Sequence, residues 1–191
     1  MPKEQLQFTF DTDADTAFTV ASMHKDFVDW RKGRSRYAIW AMDVDTPSLC
    51  TATTRIRQHL EDYLLPGYDR QPHITLSICG FPAHTCRFDD DYTPAIFRKQ
   101  INCLELARIR PFTIEIGAPE TFTSAAYFSV RDDEGGIARV RQALGNGGPG
   151  EQGFTYIPHL SFGHYRGQFS VAEVTQRLRS CPDLPCDQLN I

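Results

Sequence analysis

Two short segments carry the residues best suited to chemistry, and they look like copies of each other. One is Pro72-His73-Ile74-Thr75-Leu76 and the other Pro158-His159-Leu160-Ser161-Phe162. Each reads proline, histidine, apolar, hydroxyl, apolar. The histidines lie 86 positions apart (159 minus 73), so only the fold can bring them together. Near neutral pH one imidazole can accept a proton while another donates, because the unperturbed group titrates at about pH 6.5. The hydroxyls of Thr75 and Ser161 could donate hydrogen bonds to non-bridging phosphate oxygens as charge builds there. A phosphodiester suits such a set: in-line attack needs a base on the nucleophile, an acid on the leaving oxygen and donors between them. That scheme uses no metal and no cofactor.

The geometry asks for strands. On a strand, residues i and i+2 share a face. His73 and Thr75 then point one way, with Ile74, Leu76 and Ile78 in a core. His159 and Ser161 point one way, with Leu160 and Phe162 opposite. The same parity puts Ser77, Cys79 and Tyr165 on the site face as candidate lining residues and turns His164 to the core. Arg166, just past the strand, is a further candidate for reaching a phosphate. His24, His59 and His84 have no motif around them and read as structural or surface residues. As metal ligands, two histidines without a carboxylate on their face make a poor zinc set. As a nucleophile system, Thr75 or Ser161 lacks an orienting carboxylate and a nucleophile elbow.

The surrounding elements alternate in a way that repeats. Residues 37–44 are a nearly continuous apolar run and read as a buried strand. Thr46-Pro47 opens a helix, and the apolar face of residues 48–64 continues it until Pro66-Gly67. The first histidine strand follows at 72–80. A turn through Asp89, Asp90 and Asp91 leads to Thr93-Pro94 and a helix over 95–107. Residues 111–116 and 125–130 read as strands. Asp132 or Asp133 caps a helix over 133–144, and the glycine-rich stretch 145–150 is a loop. The second histidine strand occupies 156–165. Ser170 and Glu173 form a capping box before a helix that runs to about Arg179, and residues 189–191 suit a short edge strand. Each half is strand, helix, histidine strand.

Composition bounds the rest. The chain has 191 residues, of which 41% are hydrophobic, enough for the core of one domain. Its net charge of -4 does not favour a long polyanion, although a local positive site for an RNA end or small phosphate ester remains compatible. The basic cluster Arg31, Lys32, Arg34 and Arg36 reads either as a solvated loop or as a positive rim for phosphate. Six cysteines, with no C-x-x-C pair, read as reduced thiols. The N-terminus lacks the basic start and apolar run of a signal peptide, and no stretch approaches a membrane span. The expectation is a cytoplasmic monomer with no membrane partner. Residues 1–35 are polar and mixed, with a short helix expected near His24–Trp30.

The paired H-x-[ST]-apolar segments, with the repeated half, resemble the signature of the two-histidine (2H) phosphoesterase superfamily. That superfamily includes 2'-5' RNA ligase-like proteins and RNA 2',3'-cyclic phosphodiesterases. The resemblance covers roughly residues 36–180. It implies an α+β, bilobal fold: two pseudo-symmetric lobes, each a mainly antiparallel sheet with helices outside, and an active cleft between them. The whole would be a single domain over 1–191, with 1–35 as an N-terminal extension and strands swapped between the lobes. It carries over His73 and His159 as catalytic residues, with Thr75 and Ser161 as phosphate-binding residues. The implied function is a metal-independent phosphodiesterase acting on 2',3'-cyclic phosphate ends of RNA or nucleotides. Alternatives are a 2'-5' RNA ligase or 2'-5' phosphodiesterase, and a non-catalytic module that binds RNA ends or nucleotides.

Overall fold

The computed structural model describes residues 17–67, 70–148, 155–182 and 187–191. Within these, helices and strands follow the order read from the pattern, with one addition, a two-residue strand at Asp91–Tyr92 where a turn is expected. They are α1 (His24–Arg31), β1 (Ala38–Asp43), α2 (Pro47–His59), β2 (His73–Pro82), β3 (Asp91–Tyr92), α3 (Pro94–Ala107), β4 (Thr113–Thr121), β5 (Ala125–Arg131), α4 (Gly136–Leu144), β6 (His159–His164), α5 (Val171–Arg179) and β7 (Asp187–Asn190). The strands form two sheets, β1-β2-β3 and β6-β5-β4-β7, giving the expected α+β architecture. All pairings are antiparallel except β2 with β3.

Local chemistry explains the boundaries. Thr46 and Thr93 each accept a hydrogen bond from the backbone N–H three residues on, with proline at the first helical position. Ser170 accepts from Glu173 N, but the Glu173 carboxylate accepts from Tyr63 Oη at 2.7 Å rather than closing a capping box. Asp132 accepts from Gly136 N and Ile137 N, so α4 starts three residues later than the pattern alone suggests. Helix α2 ends at His59, short of Leu64, which instead bridges to Tyr165 beside β6.

The two halves interlock through their helices. Helix α2, which leads to β2, packs against β6; helix α4, which leads to β6, packs against β2. One buried cluster therefore spans both sheets: Leu49, Ile56, Ile74 and Leu76 join Ile114, Phe128, Leu160 and Phe162. Burying such side chains contributes roughly 1.5–3 kcal/mol each, so the shared core resists separation of the halves.

One member of the basic cluster, Arg34, is structural, whereas Lys32 and Arg36 are exposed. Arg34 forms a fork onto Asp90 at 2.6 and 2.9 Å and reaches Asp91 at 3.0 Å. Its guanidinium lies 3.6 Å over the Phe81 ring. Asp91, buried, also accepts from Arg87 N and Phe88 N, and these bonds hold its carboxyl below the usual carboxylate range. Arg34 thus anchors the α1 segment to the first sheet, its charge taken up by Asp90 and Asp91, while Asp89 stays exposed in the expected turn. Among the described residues, Cys50, Cys79, Cys86, Cys103 and Cys181 are not joined in disulfides; Cys186 lies outside the described residues.

Upstream of α1 the chain runs as an extended strap along the second half. Thr19 N donates to Phe169 O, Val20 N to Thr123 O and Ser22 N to Tyr165 O. The buried Thr19 hydroxyl donates to Gly167 O at 2.8 Å and accepts from Phe169 N at 2.9 Å. From there α1 crosses to the first half, where Trp30 packs on Phe81 and Tyr37. Thr19→Val keeps the shape and leaves two half-buried backbone groups, Gly167 O and Phe169 N–H, without the hydroxyl. The expected loss of stability is about 1–3 kcal/mol, read as a lowered urea midpoint; an unchanged midpoint would show that the strap adds nothing.

Candidate active site

Both histidines are held in the same way. His73 lies at the first position of β2 and His159 at the first of β6. The Nδ1 of His73 is 2.7 Å from the carbonyl oxygen of Gln71, and that of His159 is 2.7 Å from the carbonyl oxygen of Ile157. A carbonyl only accepts, so each Nδ1 carries the proton and each neutral ring keeps an unprotonated Nε2. The proline after each of these carbonyl residues, Pro72 and Pro158, favours the extended backbone that leads into the strand. The repeated P-H dipeptide is thus a device for fixing an imidazole's tautomer and direction.

The fold brings the two copies together. β2 packs against β6, and His73 acts electrostatically on His159. Burial is the main force lowering the pKa of His159 from the ordinary 6.5; the Ile157 carbonyl opposes it, and the charge of His73 lowers it further. Thr75 and Ser161 are half-exposed while Ile74, Leu76, Leu160 and Phe162 are buried, as strand parity requires.

Parity then breaks at the same place in both copies. The β1–β2 register pairs Ala41 with Thr75 but Trp40 with Ser77, leaving Leu76 as an extra residue. The β5–β6 register pairs Tyr127 with Ser161 but Ala126 with Gly163, leaving Phe162 as an extra residue. Each is a β-bulge directly after the hydroxyl residue. A bulge bends the strand and reverses which face later residues occupy. Ser77 is accordingly buried, its hydroxyl without a partner among the described residues. Tyr165 is buried too, and its hydroxyl bonds to that of Thr121. Neither joins the half-exposed face of His73 and His159 as simple alternation predicts, and Cys79 is likewise buried, whereas Ile78 is half-exposed.

His164 moves the other way. It is half-exposed rather than turned to the core, with Nδ1 3.2 Å from Ser124 O and its ring 6.0 Å from that of Phe27. Arg166 is exposed, and its backbone N–H donates to Tyr63 O. Among the described residues, no group of three or more His, Cys, Asp or Glu is arranged to hold a metal ion. No helix among them is long and apolar enough to cross a membrane.

Two residues that sequence reasoning missed complete the second half of the site. The Phe122 ring stacks on Tyr127 at 4.0 Å, and both meet His159 edge-on, at 5.1 and 5.5 Å. Tyr127 Oη donates to Glu120 at 3.0 Å, and burial holds its phenol protonated by raising its pKa. This aromatic wall limits the swing of the His159 ring. The only local signal for Tyr127 is its place on an apolar strand; that it faces His159 follows from the β5–β6 register, which a single sequence does not specify.

The arrangement is two imidazoles with fixed tautomers and two hydroxyls, drawn from two pseudo-equivalent strands. It can pass a proton in at one side of a phosphate and out at the other. No curated protein matches the chain. A family model described as the 2'-5' RNA ligase superfamily matches residues 45–189, a span that includes both histidine strands, both helices that interlock the halves and most of β7. The chain belongs to the 2'-5' RNA ligase superfamily, the two-histidine phosphoesterases, whose members carry out phosphoesterase or ligase chemistry on RNA.

Proposed function

We propose that the protein is a metal-independent phosphodiesterase that opens 2',3'-cyclic phosphates at RNA or nucleotide ends. The observation that carries this reading is the matched pair of Nδ1–H to carbonyl bonds at His73 and His159, which leaves two Nε2 atoms to share proton transfer. His159 is the base. Its Nε2 takes a proton from water as the water oxygen bonds to phosphorus. His73 is the acid: it enters with both ring nitrogens protonated, keeps its Nδ1–H on Gln71 O, and gives its Nε2 proton to the ribose 3'-oxygen as the P–O3' bond breaks, which leaves a 2'-phosphate. Thr75 and Ser161 donate to the non-bridging oxygens, where negative charge concentrates in the transition state. His159 takes the base role because burial favours its neutral, proton-accepting form.

The test is a panel assayed in chelator: RNA with a 2',3'-cyclic phosphate end, 2',3'-cyclic mononucleotides, 2'-5' linked oligonucleotides, and pairs of RNA ends that could be joined. Turnover of the cyclic phosphates to 2'-phosphates supports the reading. Predominant joining or 2'-5' cleavage would replace it with ligase or 2'-5' phosphodiesterase activity, and tight binding without product would replace it with a binding module.

A pH profile tests the assignment of the base. A lowered pKa favours the neutral imidazole, so His159 must be taken below pH 6.5 before protonation removes the base. The acidic limb of kcat/KM is expected below pH 6.5. A limb at or above that value would contradict His159 as base.

A further inference from the structure

We propose that Arg141 and Tyr156 are positioning residues that set the direction of His73 and Thr75 from the opposite half of the molecule. A bulge leaves backbone groups out of the sheet ladder, and an unpaired buried carbonyl is costly. In β2 two carbonyls at the bulge are taken up by side chains that arrive with the second half. Arg141 Nη1, on α4, donates to Leu76 O. Tyr156 Oη donates to Thr75 O at 2.8 Å. The two side chains support each other, the Arg141 guanidinium lying 3.6 Å over the Tyr156 ring, and Arg141 is only 9% exposed.

The approach is close along the whole bulge. A Cβ on Gly148, after α4, would overlap Ile78 O, so the chain at Gly148 lies directly on the β2 backbone. Tyr156 stands three residues before His159, and Ile157 between them accepts the His159 Nδ1 proton. One short segment therefore holds the backbone of the first hydroxyl residue and the ring of the second histidine. It ties the two catalytic pairs together across the cleft, and so fixes how far apart they stand for a single phosphate. The other bulge is held by the first half in turn: Leu65 N donates to His164 O and Arg166 N to Tyr63 O, and a Cβ on Gly163 would meet the Leu64 side chain at 2.7 Å.

The catalytic consequence rests on the phosphodiesterase reading, but the structural one is measurable without it. Tyr156→Phe keeps the ring under Arg141 and removes the hydroxyl that donates to Thr75 O. Arg141→Lys keeps the charge and removes the planar stack. Each is expected to lower kcat by about 10- to 100-fold with little change in KM, because misplacing a reacting group by about 1 Å costs on that order. In ¹⁵N-edited NMR the His73 ring nitrogens are expected to shift in both variants while thermal unfolding of Tyr156→Phe stays cooperative. A folded Tyr156→Phe and Arg141→Lys with wild-type His73 signals would overturn the proposal, whether or not any substrate is turned over. Wild-type kcat in both folded variants would do the same. Shifted His73 signals in a protein that turns over no phosphodiester would uphold the positioning and refute only the activity.

Discussion

His73→Asn and His159→Asn are expected to fold as the wild type and to lose turnover of a cyclic phosphate by roughly 10²–10⁴-fold each. Asparagine is the informative replacement. Its Nδ2 can donate to the carbonyl two residues back, as Nδ1 does at 2.7 Å in both histidines, while nothing replaces Nε2. Alanine variants lose the same chemistry but also that bond and, at His159, the ring that meets Phe122 and Tyr127. The double variant is expected to lose little beyond the worse single variant, since groups acting in one concerted transfer are not additive. The check is kcat at pH 7 beside a melting curve. Full activity in either Asn variant would remove that histidine from the chemistry.

Thr75→Val and Ser161→Ala are expected to lower kcat by roughly 10²–10³-fold each, the range for removing one donor to developing oxyanion charge. KM should move far less, because such a donor acts mainly in the transition state. Val is nearly isosteric with Thr, and both positions are half-exposed, so folding is little affected. Thr75→Ser and Ser161→Thr restore the hydroxyl and are expected to restore most of the rate. A rise in KM with kcat unchanged would instead make these residues binding contacts of the ground state.

The parts of the site that were legible are those encoded locally. P-H-x-[ST]-apolar carries its own strand parity for four residues, and Thr46-Pro47, Thr93-Pro94 and Ser170 cap the helices as their residue types demand. Parity fails one residue beyond each motif. The bulges at Leu76 and Phe162 exist only relative to the partner strands β1 and β5, so alternation placed Ser77 and Tyr165 in the cleft and His164 in the core. Arg34 misled for a related reason: a run of basic residues suggests an anion, but its anions are Asp90 and Asp91, over fifty positions on. Arg141 and Tyr156 give no local sign at all, since their role depends on α4 crossing to the other half. The repeated half was visible; the exchange of helices between halves was not.

A leaving group that needs no proton separates the acid from the base most directly. Replacing the 3'-oxygen of the cyclic phosphate by sulfur gives a thiolate that departs without help, so loss of the general acid should no longer matter. The 3'-thio substrate is expected to rescue His73→Asn to near wild-type rates and to leave His159→Asn impaired. Rescue of neither variant, or of both equally, would contradict a division of proton transfer between the two histidines.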